Sequence, residues 1–262
     1  MNILRREQRA GRKAFVIWMA VMFFLCFAGI VKFQSYTASG SMAELLASFP
    51  RIVMAVMGAA GLDIGTLSGY TALLFYYVLI CAVIYAVHLG SSAVARESID
   101  KTYEFVFTKP CSRGRVLGLK LASAYIYLFL FCAFNAVFSM LAVAYLKTSE
   151  DVGPLILLFA LDSFLIGSLF VALSALFASI VKQPEKGAFF GNLAFLYAFI
   201  IGVVYNMLDN PGLLKLAAPF NYFSPQDLIA GRFDPVYAVI TLLLIAASLY
   251  GTFAAFGRKD LT

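Results

Sequence analysis

The chain has 262 residues, of which 62% are hydrophobic and only 13% charged, with 20 Lys and Arg against 14 Asp and Glu for a net charge of +6. That composition excludes an ordinary water-facing globule. The apolar residues come in blocks, and a block of 18 or more with few charges is what a helix needs to cross roughly 30 Å of hydrocarbon. An all-α integral membrane protein is expected. The basic excess sits at the edges of those blocks, so it gives no reason to expect a nucleic-acid partner.

The chain opens "MNILRREQRAGRK", a basic stretch, and then runs apolar from 14 to 31. A basic start before an apolar run also describes a signal peptide. The length of the run, and the poor cleavage site that "KFQSYTAS" would make, favour a retained first membrane helix. Five further apolar segments follow at 70–91, 121–146, 154–181, 187–208 and 236–256. Each can span, because a helix satisfies its own backbone in lipid. Six transmembrane helices place both termini on one side. Fifteen Lys and Arg flank the segments on that side and five on the other. Cytoplasmic flanks carry the excess, so both termini and the charged stretch 92–114 are predicted to be cytoplasmic.

The outer connections, 32–69 and 209–235, are far from hydrophilic. The first carries Leu45, Leu46, Ile52, Val53, Val56 and Met57 at roughly helical spacing. The second mixes Pro, Gly and aromatic residues. Short helices at the outer leaflet, a re-entrant or capping element, and ordinary folded loops are all open readings. No linker, low-complexity tract or internal repeat divides the chain. A single membrane domain, 1–262, with an amphipathic stretch at 1–13, accounts for it.

Residues that carry chemistry are few. The one histidine, His88, has no Cys, Asp or Glu at ligand spacing within its own segment, so packing is expected and no metal. Cys26, Cys81, Cys132 and Cys111 show no C-x-x-C spacing and read as free thiols. H-E-x-x-H, G-x-S-x-G and G-x-x-x-x-G-K-[ST] are all absent, so no catalytic residue, no cofactor and no ATP hydrolysis by this chain are expected. Gly187 and Gly191 form a G-x-x-x-G at the head of an apolar segment, where small residues let helices approach closely. Asp162, Asn135 and Asn192 stand out inside the spans. An intramembrane carboxylate should face protein or water, so Asp162 reads either as a contact in a substrate path or as a hydrogen-bonded packing group. Asn135 and Asn192 read as interhelical hydrogen-bonding residues that could share such a path.

The stretch "SSAVARESIDKTYEFVFTKPCSRGRVLGLK", Ser91 to Lys120, holds nine of the 34 charged residues. Within it Ala95, Ile99, Tyr103, Val106 and Phe107 recur at helical spacing. Glu97 and Lys101, and Arg96 and Asp100, are oppositely charged at i, i+4. Pro110 and Gly114 are predicted to end that helix and turn the chain into the third span. A short amphipathic helix at the membrane surface is expected.

This stretch resembles the segment between the second and third helices in permease subunits of the ABC-2 exporter class. The matching positions are Glu97, Thr102, Glu104, the run from Phe105 to Phe107, Pro110, Ser112, Arg113 and Lys120; Lys101 stands where Gly is usual. "ASFP" at 47–50, "APFNYFSPQDLIAGRF" and the tail "GRKDLT" extend the likeness along the chain. The resemblance implies that the stretch is a coupling helix docking on a separate ATPase subunit through Arg96, Glu97, Lys101, Thr102, Glu104, Pro110 and Arg113. It also implies a second permease copy, a shared substrate path, export, and residence in a cell membrane, the bacterial cytoplasmic membrane above all. A self-contained secondary transporter or channel is the alternative, though embedded charges along an ion path would be expected and Asp162 stands alone.

Overall fold

The computed structural model describes residues 3–38, 48–99, 112–148, 150–208 and 212–258, the side chains of 36–38 and 97–99 excepted. Among these residues there is no strand, and six helices are long and apolar enough to cross a membrane. They are labelled α1 (Ile3–Phe23), α2 (Leu67–Ile99), α3 (Arg113–Leu146), α4 (Gly153–Ile180), α5 (Gly187–Met207) and α6 (Pro235–Arg258). The predicted basic stretch and first span are one continuous helix. Its C-terminal end passes through a π-helical turn, Phe24–Ala28, and two short helical pieces, Gly29–Val31 and Phe33–Ala38. That wide turn keeps Cys26 and Ile30 on the buried side below Met22.

Helix α4 is the hub. It packs against α2, α3, α5 and α6, whereas α1 packs on α3 and meets α2 through Glu7, through Trp18 and through its continuation at 24–31. Lipid tails give helices no hydrophobic reason to associate, so contact depends on close packing and hydrogen bonds. Gly187 and Gly191 serve that need. A Cβ on Gly187 would lie 2.5 Å from the Ala178 Cα, and one on Gly191 would lie 3.0 Å from the Ser174 Cβ, both on α4. Helix α6 turns Thr241, Ser248 and Thr252 inward. The Thr241 and Thr252 hydroxyls each donate at 2.7 Å to the carbonyl four residues back, which leaves them small and satisfied in the contact.

The end of the bundle away from the basic stretch is closed by its connections. The Glu150 carboxylate accepts from the amides of Leu67 (3.2 Å) and Ser68 (3.1 Å) and from the Ser68 hydroxyl, so it caps the start of α2 with a negative charge. Between α5 and α6 the chain makes two 3₁₀ turns, Gly212–Ala217 and Pro219–Asn221, and a short helix, Pro225–Ile229. Ser224 caps that helix by accepting from the Asp227 amide. Phe220, Tyr222, Phe223 and Leu228 are buried in the main core, so "APFNYFSPQDLI" is a packed cap on the bundle. A second short helix, Arg51–Val56, packs on α5 from the connection between α1 and α2.

If the G-x-x-x-G contact holds α5 to α4, Gly187→Val should lower stability by about 1–3 kcal/mol through overpacking, seen as a lower melting temperature in detergent. Gly257→Val, at a position where an added Cβ meets nothing within 4 Å, should leave the melting temperature unchanged.

Candidate functional site

Helices α2 and α3 are longer than a membrane requires, with 33 and 34 residues. The apolar runs inside them end at 91 and begin at 121, so each helix continues for eight residues past the hydrocarbon boundary, or about 12 Å. Ala95 to Ile99, predicted as the start of a separate amphipathic helix, prolong α2 instead. Lys101, Thr102, Glu104 and Pro110 lie outside the described residues, as does the Glu97 side chain. At the far border Ser112 is the N-cap of α3, its hydroxyl accepting from the Arg115 amide at 3.4 Å. Arg113 is thus the first residue of α3 and is exposed. Gly114 lies within the first helical turn and is no part of the predicted chain reversal.

Arg96 reaches across to α1. Its Nη1 donates to the Glu7 carboxylate at 2.8 Å, and the Glu7 side chain is only 8% exposed. Glu7 is the one acid in a stretch whose Arg5, Arg6, Arg9, Arg12 and Lys13 all point outward. A buried charge needs a partner, and here the partner sits at the root of the α2 extension. The Tyr127 hydroxyl of α3 donates to the carbonyl of Gln8, and the ring of Tyr127 lies against Phe15 with centroids 5.2 Å apart. Lys120, buried on α3, donates to the Ala93 carbonyl of α2 at 3.1 Å. These contacts fasten α1, α2 and α3 together around a recess of about 400 Å³, its open mouth included. His88 lines it, and among the described residues no three His, Cys, Asp or Glu side chains are grouped to hold a metal ion.

The intramembrane polar residues divide. Asn135 is fully buried on α3, where it donates to the Phe131 carbonyl at 2.7 Å and accepts from the Cys26 thiol at 3.2 Å. It is the interhelical bond expected of it. Asp162 is buried on α4, within electrostatic reach of Cys132 on α3, with no ion pair among the described residues. Asn192 is exposed on α5, off the buried face that carries Gly187 and Gly191. The structure therefore brings Asp162 and Asn135 to the α3 side of the bundle interior and leaves Asn192 apart. Sequence reasoning missed Glu7, Tyr85, Ser123 and the burial of Lys120. Only Glu7 carried a signal, as a lone acid among five basic residues.

The fold so far defines a multi-pass helical membrane protein whose polar features gather at one end of α1, α2 and α3. A family model described as "ABC-2 family transporter protein" matches residues 1–261. The chain belongs to that family of membrane transport proteins. No curated protein matches the chain individually.

The Glu7 to Arg96 bridge makes a measurable expectation. Glu7→Gln and Arg96→Met should each destabilise the chain in detergent. A double-mutant cycle on melting should return a coupling of about 1–3 kcal/mol. A coupling near zero would mean that α1 is held by Tyr127 and its apolar face alone.

Proposed function

We propose that this protein is the membrane-spanning permease subunit of an ATP-binding cassette exporter, forming its substrate path with a second permease copy and driven by a separate ATPase subunit. The observation that carries the reading is the paired extension of α2 and α3. Each is about 50 Å long at 1.5 Å per residue, against roughly 30 Å of hydrocarbon. The two extensions bracket residues 100–111 and lie at the basic end, which is the cytoplasmic end by the distribution of Lys and Arg. On this reading Glu97, Lys101, Thr102, Glu104 and Pro110, flanked by Arg96 and Arg113, form the contact for the ATPase subunit. The chain resides in a cell membrane, and the bacterial cytoplasmic membrane suits the family.

The packing suggests how such a contact would work. ATP binding draws two ATPase subunits together, and the load arrives at the ends of α2 and α3. Helix α2 is packed tightly on α4 and its end is tied to α1 by Glu7 and Arg96. A push on the α2 extension is therefore shared by α1 and α4 before it reaches α5 and α6. Asp162 and Asn135 would enter the path through a shift of α4 against α3. Asn192, exposed on α5, would meet a path outside the protomer. The permease needs no catalytic residue for this, because the energy enters through a surface.

Reversing charge at Glu97 and Glu104 together, with Lys at both, tests the reading. The expected result is a chain that still inserts and melts normally but no longer co-purifies with its ATPase subunit and no longer supports ATP-dependent transport. Intact assembly and intact transport would overturn the assignment.

A further inference from the structure

A second recess lies at the end of the bundle away from the basic stretch, between α2, α5 and the connections that cap them. Tyr76, Phe199 and Phe220 give it aromatic walls, Asn206, Asn221 and Gln226 give it amides, and its volume is about 420 Å³, its open mouth included. Asn221, on the 3₁₀ turn Pro219–Asn221, is only 4% exposed. Its Nδ2 donates to the Asn206 Oδ1 of α5 at 2.6 Å, which leaves its own Oδ1 buried without a hydrogen bond among the described residues. Giving up water at such an acceptor without replacement is costly, so the oxygen needs a partner that the described residues do not supply.

Glycines shape the place. A Cβ on Gly202 of α5 would lie 2.9 Å from that oxygen, and one on Gly58, whose φ is +73°, would lie 2.3 Å from the Tyr76 ring. Both glycines line the recess, so neither wall could stand where it does with a larger residue there. The Phe199 and Phe220 rings meet edge to face, with centroids 6.3 Å apart. None of the described lining residues carries a charge. A phosphate or an ammonium would be buried there without a counter-charge, so the complementary occupant is uncharged. A hydroxyl suits the amide, because it donates to the oxygen and would equally accept from the nitrogen. Depth fixes the rest of the occupant. Asn206 stands two residues before the end of the apolar run of α5, at the membrane boundary, and Phe199 is seven residues, about 10 Å, further in. A hydroxyl at the boundary and an apolar body running inward along aromatic rings describe an amphiphile.

We propose that this recess binds an uncharged lipid with a hydroxyl head, an acylglycerol in chemical class. The head hydroxyl donates to the Asn221 Oδ1 at the boundary, and the acyl chain leaves along Phe199 and Phe220 toward the hydrocarbon. The site involves none of Asp162, Asn135 and the proposed ATPase contact, and it stands whether or not the chain is a permease. Its occupant joins α2, α5 and the cap, which gives the membrane's own lipid a hold on the elements that close this end.

The test uses the full-length chain in nanodiscs of phosphatidylcholine alone, with a minor fraction of monoolein, and with the same fraction of methyl oleate, which has the chain and the ester but no hydroxyl. Melting temperature is followed as each additive is titrated, and retention by native mass spectrometry after detergent extraction is read beside it. Monoolein should be retained and should raise the melting temperature of the wild type, and methyl oleate should do neither. Asn221→Leu, which removes the amide and nearly keeps the volume, should weaken the apparent affinity for monoolein by about tenfold, as loss of one hydrogen bond does. If that variant does not fold, Gly202→Ala, whose methyl presses on the same oxygen, takes its place with the same expectation. Equal responses to monoolein and methyl oleate would show an apolar effect of the chain alone. No response to monoolein would show a recess that holds only water, and unchanged affinity in the variant would place the hydroxyl elsewhere. Each of these three results would overturn the proposal.

Discussion

The close approach of α2 and α5 to α4 is the contact on which the rest of the bundle depends. In lipid the helices gain nothing from hiding apolar surface, so their association rests on how near the backbones can come. Gly90 of α2 faces the Val171 carbonyl so tightly that any Cβ there would collide with it, and Gly187 and Gly191 of α5 meet Ala178 and Ser174 in the same way. Ser174 and Ser179 on α4 turn their hydroxyls back onto their own helix, to the carbonyls of Val171 and Ala175. Helix α4 can therefore be surrounded by four others with these two hydroxyls satisfied within it, although the buried Ser168 hydroxyl finds no such partner. Helix α1 stands outside that arrangement and is held by its own means, an aromatic face against α3 and a buried ion pair to α2.

This division of labour bears on function. A unit made of α2 and α4 is stiff, and a stiff unit moves as a body when one of its ends is loaded. The end of α2 also opens the stretch in which the charge of the sequence concentrates. On the proposed reading, passing force from that end inward takes packing and a few fastenings and no reactive group. The membrane interior offers accordingly modest chemistry: a hydrogen bond from Cys26 to Asn135 and a buried carboxyl at Asp162.

Much of the fold was legible because hydrocarbon thickness dictates it. The apolar runs at 154–181, 187–208 and 236–256 match α4, α5 and α6 within a few residues, and six spans were countable from composition alone. The G-x-x-x-G at Gly187 announced its packing role, and Asn135 makes the kind of bond its position suggested. Hydropathy could not see that α2 and α3 continue past the membrane, since polar residues in a helix and polar residues in a loop look alike to it. Nor could it orient Asn192, because a helix that is apolar nearly all round has no marked face. Pro110 and Gly114 signalled a turn, but Ser112 starts α3 earlier by offering its hydroxyl to the Arg115 amide. The recess at the basic ends of α1, α2 and α3 was hidden for a different reason. Tyr85, His88, Ser92, Ser123 and Lys120 come from two helices more than twenty residues apart in sequence, and only their packing makes them neighbours.

The measurement that bears most directly on the central claim is proximity at the end of α2 in a native membrane. A crosslinker installed by Thr102→Cys, in membranes that contain the candidate ATPase subunit, should capture that subunit with a yield that changes when ATP is bound. Absence of any such adduct from positions 97 to 113, combined with ion-gradient-driven transport by the purified chain in ATP-free vesicles, would contradict it.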